Sequence, residues 1–110
     1  IIPENLMTRK VFIVANLPAI NDREKFKDYE RGLLRSLGRH EGVLDSFSDD
    51  VFCLEGENPP KGRIVIFHFP SMKHAEEWWA DEEYQKASDI RREHSVTDFI
   101  VRLEELPPRA

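Results

Sequence analysis

Two short runs constrain this chain most: Val11-Phe12-Ile13-Val14 and Ile64-Val65-Ile66-Phe67, each apolar at four successive positions. Both are built from β-branched and aromatic residues without a helical period, so they read as strands. Strand side chains alternate between the two faces of a sheet, so an unbroken apolar run makes both faces hydrophobic. Both faces then need cover.

The 110 residues make one domain, and the runs fall within a larger pattern. Lys10 to Leu17 is a first strand closed by Pro18. Asn21 and Asp22 offer a helix N-cap, with Glu24 three residues after Asn21 as a capping-box partner. Phe26, Tyr29, Leu33 and Leu37 form an amphipathic stripe, and Gly38 is placed to end the helix in the left-handed conformation. Residues 42–55 hold a second strand region, with a bulge or bend expected near Asp49-Asp50 or a split into two short strands. Gly56 to Gly62 has the composition of a hairpin loop, and Arg63 to Phe69 is the third strand.

Pro70-Ser71 then stops the strand and supplies the next N-cap. Met72, Ala75 and Trp79 open a second helical stripe that Trp78 broadens; Asp81-Glu82-Glu83 interrupts it, and Tyr84, Ala87 and Arg91 resume it. Val96 to Leu103 is the last strand, and the Pro107-Pro108 tail is expected to be disordered. The order is β-α-β-β-α-β, which predicts an α+β, ferredoxin-like domain with a four-stranded antiparallel sheet and two helices on one face. The other face is left bare, and an apolar patch of that size predicts a homodimer packed sheet against sheet.

A net charge of −5, with basic residues interleaved among acidic ones, argues against a nucleic-acid partner. No apolar run approaches the roughly 20 residues of a membrane span. The N-terminal IIPENLM lacks the pattern of a secretory signal, and Met7 is a candidate native start. Cys53 is the lone cysteine, which excludes an intrachain disulfide and points to a reducing cytoplasm; flanked by Val51, Phe52 and Leu54, it reads as a small buried hydrophobe.

The ordered elements resemble the family known as domain of unknown function 1330, within the dimeric α+β barrel superfamily. The resemblance rests on Asp22 followed by Phe26 and Tyr29, on Leu54-Glu55-Gly56, on Phe69-Pro70-Ser71 with Ala75 and Trp78, and on Tyr84-Gln85 with Arg91. It runs from about Lys10 to Leu103. Two positions depart from the family pattern: Glu41 stands where the family has the first of two glycines, and His68 where it often has a carboxylate. The resemblance implies a cleft between sheet and helices in each subunit, holding a small organic molecule. Its wider relatives include cofactor-free monooxygenases, small isomerases, haem-degrading enzymes and plain dimeric binding proteins, so fold alone selects no reaction.

Four residues are candidates for the site. Arg91 lies seven residues after Tyr84, on one side of a helical segment, so a guanidinium and a phenol address one spot. Such a pair suits a carboxylate or enolate; the competing reading of Arg91 is an ion pair with Glu82, Glu83 or Asp89. His68 ends an apolar strand on the face of Ile64 and Ile66, where it reads as a general base or as a core histidine satisfied by hydrogen bonding. Trp78 and Trp79 point about 100° apart on a helix, so only one faces the core fully; the other packs or stacks on an aromatic ligand, and Trp78 is the ligand-binding candidate. The histidines show no metal-binding spacing and no glycine-rich cofactor motif occurs, so neither metal nor cofactor is expected. Two classes remain: a cofactor-free enzyme of monooxygenase or isomerase type, and a dimeric binding or accessory protein.

Overall fold

The computed structural model describes residues 8–107, so the expectations for Met7 and Pro108 fall outside the described residues. Strands β1 (Val11–Leu17), β3 (Val43–Ser48), β4 (Arg63–Phe69) and β6 (Phe99–Glu104) form one antiparallel sheet in the order β3-β4-β1-β6. Helices α1 (Arg23–Arg39), α2 (Met72–Trp79) and α3 (Glu82–His94) pack on it. Two short strands, β2 (Ala19–Ile20) and β5 (Ser95–Val96), pair at the rim. This is the ferredoxin-like α+β arrangement expected from the sequence.

Register explains which face is covered. Val11, Ile13, Ala15 and Leu17 of β1 turn inward beside Val65, Phe67 and Phe69 of β4, and all are buried. The alternate residues Phe12, Val14, Ile64 and Ile66, with Val101 and Leu103 of β6, occupy the opposite face. The described residues span only 16 Å in their thinnest direction, the depth of one sheet and one helix layer. The outer face therefore has no covering layer among the described residues.

Local structure corrects several sequence expectations. Of the two N-cap residues offered, Asp22 caps α1, accepting from Lys25 N–H at 3.0 Å, which displaces the capping box of Asn21 with Glu24. The helix runs through Gly38 to Arg39, and the left-handed residue is Glu41, with φ of 57°. There Gly42 N–H donates back to Leu37 O at 2.7 Å and seals the helix end. The bulge in β3 falls between Leu44 and Ser46 rather than near Asp49. The ladder ends at the Ser48–Ile64 pair, so residues 51–54 have no strand partner and form an exposed arm. Phe52 and Leu54 are 85% and 92% exposed, and Cys53 is exposed with them rather than buried.

The second helical stripe is two helices. Asp81 breaks it, since its carboxylate accepts from Tyr84 N–H at 3.1 Å and so starts α3 afresh. The same carboxylate takes both Arg39 Nε and Nη2, at 2.9 and 3.0 Å, and His40 Nε2 at 2.6 Å. One side chain thus ties the end of α1 to the α2–α3 joint. The last strand is also split, because Thr97-Asp98 separates β5 from β6. Trp78 is 1% exposed and Trp79 45%, as consecutive helix positions require.

Candidate functional site

Helices α1 and α3 approach unusually closely: a Cβ placed on Gly32 would lie 2.6 Å from Ala87 Cβ. Only glycine permits that contact. One turn back along α1 from Gly32, Tyr29 reaches across to α3, and its hydroxyl meets that of Tyr84 at 2.9 Å. Arg91 follows Tyr84 by seven residues, about two helical turns. Its guanidinium carbon stands 5.7 Å from the centre of the Tyr29 ring.

These three side chains edge a cavity of about 110 Å³ between sheet and helices. Its floor is Ala15, Leu17, Val65 and Phe67, and its roof includes Phe26 and Leu33. Leu34 and Phe47, both exposed, flank the side that opens to solvent. The lining is thus largely hydrocarbon, its charged side chains being Glu30, Arg63 and Arg91.

The two arginines of the lining are in different electrostatic states. Arg63, at the inward-facing start of β4, is neutralised: Asp49 takes its Nε and Nη2 at 2.8 and 3.0 Å, and Glu30 takes Nη1 at 3.1 Å. Its guanidinium also lies over the Phe47 ring at 4.9 Å. The hydrogen bonds from Arg63 hold the Asp49 carboxyl below its ordinary range. Arg91 is 3% exposed and has no ion pair among the described residues. Its Nη1 donates to Thr97 Oγ1 at 2.7 Å, and its Nε finds no acceptor. A buried, uncompensated cation is costly, and removing water without supplying an anion leaves that cost standing.

Burial, reinforced by the adjacent Tyr84, pushes the Tyr29 phenol well above its ordinary range, while the Arg91 guanidinium opposes the shift. Tyr29 therefore keeps its proton at neutral pH. The Arg91 end of the cavity presents N–H and O–H donors.

The fold brings together some of the sequence candidates and separates others. Tyr84 and Arg91 line the same cavity, and Arg91 is paired with none of Glu82, Glu83 or Asp89; it is Arg92 that pairs with Asp89. Trp78 stands one layer behind, its ring centroid 4.3 Å from that of Tyr84 and its Nε1–H donating to Ser36 Oγ at 2.9 Å. It supports Tyr84 rather than facing the cavity. His68 is on the other face of the sheet, because the alternation that turns Phe67 inward turns His68 outward. There its Nδ1 bonds the Asp45 carboxylate at 2.8 Å. Sequence reasoning does not single out Arg63 or Tyr29, yet Arg63 shares the inward register of Val65 and Phe67, and Tyr29 puts a hydroxyl into an otherwise hydrocarbon stripe of Phe26, Leu33 and Leu37. Among the described residues no group of three or more histidine, cysteine or acidic side chains is placed to hold a metal ion.

Comparison with known proteins agrees on the fold. A protein of unknown function from Rhodopseudomonas palustris superposes with a TM-score of 0.70 at 20% identity, over 92% of this chain and 85% of that one. At3g17210 from Arabidopsis thaliana gives 0.58 at 16% identity, over 93% and 97%. A dimeric protein of unknown function and ferredoxin-like fold from Bacteroides fragilis gives 0.52 at 13%, over 89% and 96%. No curated protein matches the chain significantly. The family model for the domain of unknown function DUF1330 matches residues 10–103, and the chain belongs to that family.

Proposed function

We propose that this protein is a homodimer that binds a small organic anion in the cavity of each subunit, with Arg91 and Tyr84 as the ligand contacts. The observation that carries this reading is Arg91: a nearly fully buried guanidinium with an unpartnered Nε and no carboxylate beside it. Arg63, also buried and on the same cavity, has two carboxylates. The missing counter-charge at Arg91 alone supports an anionic ligand there.

The lining favours binding over acid–base chemistry. Glu30, the carboxylate on the lining, is tied to Arg63, and His68 is beyond the sheet. The homodimer is supported by the uncovered apolar outer face and by the Bacteroides fragilis neighbour, which is described as dimeric. In such an assembly the two sheets pack together and each cavity stays on the helix side of its own subunit.

Thermal shift against a panel of short-chain and aromatic acids tests the reading, with parent and Arg91→Met side by side. Acids that raise the melting temperature of the parent and not of a folded Arg91→Met are the expected result. Equal shifts in both proteins, or none in the parent at millimolar acid, contradict it.

A further inference from the structure

Two phenols that share one hydrogen bond between them leave one proton over. The Tyr29 and Tyr84 hydroxyls are partnered by each other at 2.9 Å, and neither finds a further acceptor in any hydrogen bond of the described residues. Arg91 lies beside Tyr29 and interacts favourably with its oxygen. With the positive guanidinium beside Tyr29, the favourable polarity is Tyr29 O–H donating to Tyr84 O, which leaves the Tyr84 O–H directed outward. A chain of this kind strengthens its terminal donor.

We propose that Arg91, Tyr29 and Tyr84 form a donor-only site whose ligand is a monocarboxylate with an apolar body no larger than about one six-membered ring. This rests on the reading that the cavity binds an organic anion, and adds its class and the residue that orients it. The guanidinium and the spare phenolic proton both require an acceptor, and a carboxylate offers two oxygens to satisfy them. One uncompensated cation matches one negative charge, so a dianion leaves a buried charge unpaired. The remaining lining is apolar, with the floor of Ala15, Leu17, Val65 and Phe67 suited to hydrocarbon. The volume of about 110 Å³ sets the size: it is below that of a closed cavity of about 150 Å³ that binds benzene. A single ring therefore fits by extending into the opening beside Leu34 and Phe47, and a second ring does not. Tyr84 touches the carboxylate, and Tyr29 is a positioning residue that fixes the direction of the Tyr84 hydroxyl.

The test is a titration followed by tryptophan fluorescence, because Trp78 packs directly against Tyr84; Trp79→Phe removes the exposed indole from the background. The probes are benzoate, neutral benzamide, dianionic phthalate and the two-ring 1-naphthoate. Benzoate is expected to bind at least about tenfold more tightly than neutral benzamide, since a hydrogen bond to a charged group is worth that much or more. It should also bind more tightly than phthalate, whose second charge is left unpaired, and than 1-naphthoate, whose second ring exceeds the cavity. Tyr84→Phe is expected to lower benzoate affinity about tenfold; because it also strips the buried Tyr29 hydroxyl of its partner, it melts a few degrees lower while staying folded. Tyr29→Phe should lower it less and narrow the preference for benzoate over benzamide, a readout that mere packing would not move. Naphthoate or phthalate binding as well as benzoate overturns the size or charge assignment while anion binding stands. A folded Tyr84→Phe that binds benzoate like the parent overturns the donor assignment. No response to any of the acids in the parent removes the anion-binding reading itself. If Tyr84→Phe does not fold, the four-probe series on the unsubstituted tyrosines still decides the ligand class, and Tyr29→Phe the role of the pair.

Discussion

Tyr29 and Tyr84, 55 positions apart, share a hydrogen bond at 2.9 Å because Gly32 lets the helices that carry them touch at Ala87. Placement of the cavity's donors thus depends on a residue that carries no chemistry. Gly32→Ala puts a methyl into that contact and should destabilise the fold by about 1–3 kcal/mol, the usual cost of overpacking. Urea denaturation measures it; an unchanged midpoint would mean the helices separate freely and the tyrosine pair is not fixed by their contact.

The Trp78 indole donates to Ser36 Oγ, which in turn donates to Leu33 O at 2.6 Å. Ser36→Ala leaves a buried N–H without a partner and should cost about 1–3 kcal/mol. Trp78→Ala removes an aromatic that contacts Phe67, Phe69 and Tyr84, at about 3–5 kcal/mol. Chemical denaturation should show Trp78→Ala as the more damaging of the two, and the reverse ranking would contradict the packing described.

How much of this is legible in the sequence follows from the range of each interaction. The α1 stripe of Phe26, Tyr29, Leu33 and Leu37 and the inward alternation of β4 are local periodicities, and both stand in the structure. The seven-residue spacing puts Tyr84 and Arg91 on one side of α3 for the same reason. Tyr29 joins them only because α1 and α3 meet, a long-range contact with no local signature beyond one glycine and one alanine. Cys53 and its apolar neighbours read as buried because composition alone cannot reveal that β4 begins too late to pair with them. The bulge between Leu44 and Ser46 and the left-handed Glu41 escape sequence reasoning for a related cause: each is fixed by a hydrogen-bond ladder or helix end, not by its own side chain.

Glu41 adopts φ of 57° without being glycine, in a region that costs an L-residue roughly 1–2 kcal/mol. Glycine relieves that strain and gives back part of the gain as chain entropy, so Glu41→Gly should stabilise by up to about 1 kcal/mol. The Glu41–His74 contact it loses is on the surface and worth little. A lower melting temperature for Glu41→Gly would show that this contact outweighs the backbone.

Asp81 gives a pH dependence with a definite sign. The hydrogen bonds from Arg39, then those from His40 and Tyr84 N–H, hold its carboxyl well below the usual carboxylate range. Unfolded, it takes up a proton near its ordinary value of about 3.9. As pH falls below that value the unfolded chain binds a proton the native chain does not, so Asp81's stabilisation, complete above it, is progressively lost. Asp81→Asn should be less stable than the parent at neutral pH, and the gap should narrow as acid is added below about pH 4. Urea midpoints at both ends of that range check it; a constant gap would mean the charge contributes nothing.

The outer sheet face should be an interface. Val14 and Val101 lie opposite each other at its centre, so Val14→Asp places a charge where the partner's sheet would pack. Sedimentation at micromolar concentration should give a dimer for the parent and a folded monomer for the variant. A parent that sediments as a monomer would contradict the assembly.

The central claim, that a buried and unpaired Arg91 waits for an organic anion, is tested most directly by a crystal structure grown with benzoate. The account predicts a carboxylate within hydrogen-bonding distance, about 2.7–3.2 Å, of the Arg91 guanidinium and the Tyr84 hydroxyl, with the ring against Val65 and Phe67. A cavity without benzoate under saturating conditions, with Arg91 still lacking a counter-ion, would contradict it.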